Sequence, residues 1–324
     1  MITLVIPTRN RAHTIRLVGE SFFRQRLVSE IVFVDDGGDD DTHAVVADLA
    51  RRFPDVRARV LRNDRRMGAA YSRIKGYKSA ANEYVLYCDD DIYLAAGYAA
   101  VCLAKMEATG AAIVSGRRAV FKRAEQSPEE AIAAFGNGLS SLPPFRTLVC
   151  EFREDARFEG DISLPLTNPV ILTRKSLLQE LSYDPFYAKG NGFREESDFQ
   201  MHAFVKGHAI LVTNDAHCVE LSRQENPSGG NRVNHFTRLF WNVYYTNYFY
   251  RKYFDRYARR LGLPIGRRTA IVLFAFYQLH ALFGRPLFRR LKALKARARE
   301  RLMPFQEPRR VDRAAMNGSD SGAG

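Results

Sequence analysis

The run YVLYCDDDIYL, residues 84–94, sets three carboxylates, Asp89, Asp90 and Asp91, directly after an apolar stretch. Neighbouring carboxylates repel one another, and burying them is costly unless a positive charge compensates. A hard divalent cation, Mn2+ or Mg2+, supplies such a charge because it prefers oxygen ligands, and once held it can grip a diphosphate. In an extended segment the Asp-x-Asp spacing predicts Asp89 and Asp91 on one side and Asp90 on the other. The triplet alone also suits a solvated acidic turn or a helix N-cap. Two more polar clusters end apolar runs, PTRNR at residues 7–11 and DDGG at residues 35–38. Three clusters from separate places in the chain favour a site.

The elements that must position them alternate. Residues 2–6, 31–34, 56–61, 84–87 and 111–114 are short apolar or β-branched runs, with Pro7 expected to close the first. Residues 12–25, 42–53, 69–81 and 97–108 have helical character. Strands separated by about 10–15 residues of helix predict βαβ units and a parallel sheet covered on both faces. Ligands bind such sheets beyond the carboxyl ends of the strands, where the three clusters converge. Residues 116–165, punctuated by proline and glycine, predict loops with short elements around a site. Beyond them come an expected strand at 168–173, helices at 175–181 and 195–206, and a strand at 210–213.

With 324 residues, 46% hydrophobic and 26% charged, the chain has the material for a large globular core. Cys88, Cys102, Cys150 and Cys218 show no CxxC spacing, and Met1 leads into ITLVIP, a strand rather than a signal peptide. A cytoplasmic, reducing setting with buried thiols is expected. The net charge of +13 is concentrated: residues 251–313 hold 18 Lys and Arg against four acids, so the rest is near neutral. Residues 236–257 carry eleven aromatics at i,i+4 spacing, predicting one helix that packs on the body or shapes an acceptor site. Residues 269–284 are apolar over 16 positions. A membrane span needs about 20. The following RPLFRRLKALKARARERL predicts an interfacial helix, peripheral on the anionic cytoplasmic membrane face. A helical hairpin packed on the body or on a second subunit is the alternative. The expected layout is a catalytic domain at 1–232, an aromatic and basic amphipathic helical extension at 233–304, and a disordered tail at 305–324.

In order, VIPTRNR, EIVFVDDGGDDDT, RRMGAAYSRIKGYKSA, EYVLYCDDDIYL and GFREESDF resemble a family-2 glycosyltransferase with the GT-A fold, over about residues 1–230. The resemblance implies an α/β, Rossmann-like, mostly parallel sheet flanked by helices. It also implies metal-dependent, inverting sugar transfer from a nucleotide-diphosphate sugar, most often UDP-linked. The acceptor would be a glycan or lipid-linked hydroxyl in cell-surface glycan assembly. It assigns Pro7, Thr8, Arg9, Arg11, Asp36, Arg73, Asp89 and Asp90 to the nucleotide sugar, with Asp89 facing the ribose, and Asp91 with Asp89 to the cation. Direct displacement at the anomeric centre needs a carboxylate to take the acceptor's proton. The motif gives that role to Glu196, ahead of Glu195 and Asp198. For all three, an acid in a helix's first turn can simply complement the dipole. For Arg73, an ordinary exposed helix arginine is the plainer reading.

Two departures stand out. Many relatives carry Asp where this chain has Glu196. A histidine often precedes the Gly-Gly element, but in DAHCVELSRQENPSGGNR its place by spacing is held by Glu220, with His217 three residues earlier. Either could complete the cation site, and residues 228–232, with Arg232, could close over the diphosphate. A nucleotidyltransferase would carry a Gly-rich basic loop after the first strand, and PTRNRAHT has no glycine. A nucleic-acid-binding reading draws on the basic, aromatic residues 236–301. There the basic residues sit on an apolar amphipathic tail, and the acidic strand ends would repel phosphates, so no nucleic acid is expected.

Overall fold

The computed structural model describes residues 1–121, 126–133, 139–222, 224–226 and 233–284. The first half alternates as β1 (Ile2–Thr8), α1 (Ala12–Phe23), β2 (Val28–Asp35), α2 (Thr42–Arg52), β3 (Arg57–Arg62), α3 (Ala69–Ser79), β4 (Tyr84–Tyr87), β5 (Ile92–Leu94), α4 (Tyr98–Thr109) and β6 (Ile113–Val120). Then follow α5 (Pro128–Ala133), a ribbon of β7 (Phe145–Arg146) and β8 (Glu151–Phe152), β9 (Asp161–Ser163), β10 (Ile171–Arg174), α6 (Lys175–Leu181), α7 (Glu195–Val205), β11 (Ile210–Glu220), α8 (His235–Leu261) and α9 (Arg267–Leu279).

Among the described residues one sheet has the order β3-β2-β1-β4-β10-β6-β11-β5, with β9 also pairing β11. β3, β2, β1, β4, β6 and β11 run one way; β10, β5 and β9 run against them. Apolar residues alternate between faces. Leu4, Ile6, Ile31 and Phe33 join α1, α2 and α4 in one cluster, while Val5, Val32 and Val34 join α3, α6, α7, α8 and α9 in the other. Burial on both faces is why these strands read as continuous apolar runs.

β1 continues through Pro7, contrary to expectation. The Val5 carbonyl accepts from Cys88 on the β4 side, and the Thr8 carbonyl accepts from Asp36 on the β2 side. Odd residues therefore face β4, which ends level with Val5. The missing Pro7 donor falls where no ladder remains. β6 and β11 also run well past residues 114 and 213. Their continuations contain polar residues that bond across strands: Arg117 Nη1 donates to Asn214 Oδ1 at 2.6 Å, and Arg118 pairs with Glu220 at 3.3 Å. A bulge between Val212 and His217 accompanies this polar stretch.

Residues Met1–Gln278 form one compact unit and Leu279–Gly324 a second, described as far as Gly284. The first therefore extends past the expected boundary at residue 232. The reason is α8, whose Phe249, Tyr253 and Tyr257 are buried in the same cluster as Phe199 of α7. The i,i+4 neighbours Phe236, Phe240 and Tyr244 stay exposed. Asn234 caps α8 by accepting from Thr237, and Gly262 ends it in the left-handed region. No described helix is long and apolar enough to cross a membrane. The basic segment 285–304, the tail 305–324 and the loop 228–232 lie outside the described residues. All four cysteines are buried and free.

Candidate active site

Because β1, β2, β4, β6 and β11 share a direction, their carboxyl ends share one edge of the sheet. Thr8 sits opposite Asp35 in register, and the Thr8 carbonyl accepts from Asp36. The buried Asp36 carboxylate accepts from Asn63 Nδ2 at 2.8 Å, Met67 N at 2.7 Å and Gly68 N at 2.8 Å. Gly68 has φ +91°, and a Cβ there would meet Ala188 at 2.8 Å, so only glycine fits. Asp36 and Gly68 thus fix the start of α3 against this edge, which sets Arg73 one turn further in.

Arg73 is buried, and its guanidinium gathers three carboxylates. Nη1 donates to Glu195 at 2.5 Å; Nη2 donates to Asp89 at 2.9 Å and to Glu196 at 3.1 Å. The exposed-helix reading of Arg73 is therefore replaced by a hub joining the aspartate triplet to the acidic pair. Burial disfavours its charge, but Glu195, Glu196 and Asp89 more than offset this and hold its pKa above the ordinary range. Glu195 is buried deeper than Glu196. Burial pushes its carboxyl up to about 8, against the pull of Arg73. Glu196 keeps a side chain 30% exposed, the more accessible of the pair.

The triplet forms a turn between β4 and β5, not an extended segment, so strand alternation does not govern it. Each aspartate has its own surroundings. Asp89 faces Arg73. Asp90 has its carboxyl pushed up to about 8 by burial and by Asp91, with Thr8 and Arg11 acting the other way. Asp91 accepts from Asn226 Nδ2, and its backbone carbonyl accepts from Leu221 at 2.9 Å. The turn and the end of β1 therefore meet at Asp90, while Arg9 is exposed at the rim. Glu220 lies opposite Ile92 across the β5–β11 ladder, with its side chain on Arg118. The charges that act on His217 are Arg117 and Asp215; burial and Arg117 lower its pKa. The structure thus brings Glu220, and not His217, to the triplet.

Asp198 is taken up by the fold. It accepts from Tyr187, Lys252 and Tyr253 at 2.8, 2.8 and 3.0 Å, binding α7 to α8. Arg194, just before the acidic pair, has φ +77°. That conformation costs an L-residue about 1 kcal/mol. Its buried side chain donates to the carbonyls of Cys150 at 2.5 Å and Val149 at 2.7 Å and lies over the rings of Phe193, Phe249 and Phe274. Arg194→Ala leaves those carbonyls without donors, and a loss of about 3 kcal/mol is expected from urea midpoints at unchanged slope. In the sequence Arg194, Arg118 and Asn226 look like surface residues. Only the adjacency of Arg194 to two glutamates hinted at more.

Over 98 residues the chain is 30% identical to the uncharacterized glycosyltransferase YwdF of Bacillus subtilis (strain 168). That stretch is 30% of this chain and 35% of the relative, about a third of its length. The structure is similar to S. aureus TarS 1-349 solved with UDP-GlcNAc, at TM-score 0.55 and 15% identity, covering 86% of this chain and 72% of that one. It is also similar to GalNAc-T7 solved with UDP, GalNAc and Mn2+, at TM-score 0.55 and 15% identity, covering 77% and 49%. These likenesses bear on the fold, which is the GT-A arrangement. Residues 3–181 match the family described as Glycosyl transferase family 2, a segment that holds Arg73 and the triplet but ends before Glu195. This match spans more than half of the chain, and the chain belongs to glycosyl transferase family 2.

Proposed function

We propose that the chain transfers a sugar from a UDP-linked nucleotide sugar to a hydroxyl acceptor, with inversion, assisted by Mn2+ or Mg2+. The observation that carries this reading is Arg73, which sets the triplet beside the acidic pair of α7. One side suits a donor diphosphate and the other an incoming hydroxyl. In this reading Pro7, Thr8, Arg9, Arg11, Asp36 and Asp90 line the base and ribose pocket, Asp89 faces the ribose, and Asp91 with Asp89 takes the cation.

The donor set suits a hard cation. Asp89 and Asp91 offer carboxylates, and the buried Asn226 side-chain oxygen beside Asp91 has no hydrogen-bond partner among the described residues. Among the described residues no three His, Cys, Asp or Glu side chains gather as a cage. Mg2+ at a diphosphate commonly uses one or two carboxylates and takes its other oxygens from phosphate and water. Of the two further candidates, Glu220 lies opposite Ile92, the residue after Asp91, whereas His217 lies opposite Arg117 of β6. A cation bound here supplies positive charge to the departing diphosphate.

Glu196 accepts the acceptor's proton as that oxygen forms its bond to the anomeric carbon, opposite the leaving diphosphate. Arg73 orients Glu196 and anchors Glu195 behind it. A glycan or lipid-linked acceptor in cell-surface assembly and attachment to the cytoplasmic membrane face complete the proposal, supported by the basic residues 251–313. A thermal-shift screen of nucleotide sugars tests it. At a hundredfold excess over Kd a UDP-sugar with Mn2+ adds about 2.7 kcal/mol to stability, and EDTA removes the gain. No shift with any nucleotide sugar overturns the reading.

A further inference from the structure

We propose that the cleft between α8 and α9 binds the phosphate of an anionic lipid headgroup. The cleft has a volume of about 420 Å³ and is lined by Asn247, Tyr250 and Arg251 of α8 and by Arg267, Arg268 and Ile271 of α9. Among the described residues, none of these three arginines has a side-chain hydrogen bond or ion pair. The sequence holds no acid between Asp255 and Glu300 to serve them. The arginines of the catalytic edge are different: Arg73, Arg118 and Arg194 all have carboxylate or carbonyl partners. Three guanidinia around one cleft repel each other, and a phosphate, which their planar forks match, relieves that repulsion. The start of α9 adds its helix dipole in the same sense.

The flanking surfaces indicate a lipid rather than a soluble anion. On α9, Val272 and Phe276 follow Arg268 at i,i+4 spacing and are 53% and 66% exposed. On α8, the exposed Phe236, Phe240 and Tyr244 occupy the helical face that also holds Asn247 and Arg251. An apolar stripe therefore leads to the arginines along each helix. A soluble phosphate needs the arginines alone, whereas the headgroup region of a leaflet contacts both the charges and the stripes. This inference rests on the membrane part of the proposed function and is independent of the transfer chemistry.

The test is flotation of the full chain with vesicles of neutral lipid or of neutral lipid mixed with phosphatidylglycerol, at fixed salt. Wild type is expected to float with the anionic vesicles. The triple variant Arg251→Ala, Arg267→Ala, Arg268→Ala should bind them about a hundredfold more weakly, with its melting temperature and nucleotide-sugar response kept. The charge-preserving Arg251→Lys, Arg267→Lys, Arg268→Lys variant should lose about tenfold, because lysine lacks the fork. If the lysine variant floats as well as wild type, diffuse charge is responsible and the headgroup site is overturned. If the alanine variant does so, the cleft plays no part and attachment lies elsewhere in the basic tail. If wild type fails to float, the membrane reading fails with it. Binding of soluble glycerol phosphate through the same arginines, without flotation, reassigns the cleft to a soluble anion.

Discussion

Glu196→Gln leaves donor binding intact and lowers the transfer rate by about 10²–10⁴-fold, the range for removing a general base. The substitution preserves length and keeps a carbonyl oxygen where Oε1 now accepts from Arg73 Nη2 at 3.1 Å. The hub of Arg73, Asp89 and Glu195 should therefore persist, and only proton acceptance is lost. Single-turnover measurement with donor and acceptor, beside a donor titration, separates the two effects. The comparison with Glu195→Gln is decisive because the two glutamates differ in setting. Glu195 is 4% exposed, with its carboxyl pushed up to about 8 by burial, and it holds Arg73 from within. Its substitution should act on stability and on Arg73 first. Should Glu195→Gln abolish transfer while Glu196→Gln turns over normally, the base is Glu195. Asp198 is not a competitor, since both its oxygens already accept from Tyr187, Lys252 and Tyr253.

How far the sequence reveals this arrangement depends on where the polar groups find their partners. β4 at Tyr84–Tyr87 and α6 at Lys175–Leu181 have the bounds that apolar patterning predicts, because their contacts are burial contacts. The ends of β6 and β11 escape patterning, since Arg117, Arg118, Asn214 and Glu220 are polar strand residues whose partners are one another, Glu154 and the carbonyls of residues 156–160, all distant in the chain from β6 or β11. β5 escapes for another reason. Among the described residues its three residues reach the sheet through β11, more than a hundred positions away, and no local periodicity encodes that pairing. Its presence turns the triplet into a link between the middle of the sheet and its far edge. That explains why Asp89 and Asp91 have separate partners despite their Asp-x-Asp spacing.

The same distinction applies to Arg73 and α8. Helical spacing places Arg73 on α3, but its burial depends on Glu195 and Glu196 arriving from over a hundred residues further on. The aromatic face of α8 is legible as a face. Which half is core is decided by α7, whose Asp198 meets Lys252 and Tyr253.

Asp91→Asn should separate cation-dependent from cation-independent donor binding. The side chain keeps its shape, and an amide can still pair with the Asn226 amide that now donates to Asp91 Oδ2, so the turn should hold. One negative charge leaves a cluster in which Asp91 acts against its neighbour Asp90. Without cation, the variant should therefore melt no lower than wild type. With Mn2+ and a UDP-sugar each at a hundredfold excess, wild type gains about 2.7 kcal/mol and the variant should lose most of that gain. Asp89→Asn is expected to differ in kind. Asp89 accepts from Arg73 Nη2, which also serves Glu196, so this variant should disturb the base as well as the donor. A wild-type response of Asp91→Asn to Mn2+ would remove Asp91 from the cation site and leave Asp89 and Glu220 as the residues to examine. Loss of the Mn2+ response with residual cation-free donor binding would instead assign the cation to Asp91 and the nucleotide's other contacts to the ends of β1 and β2.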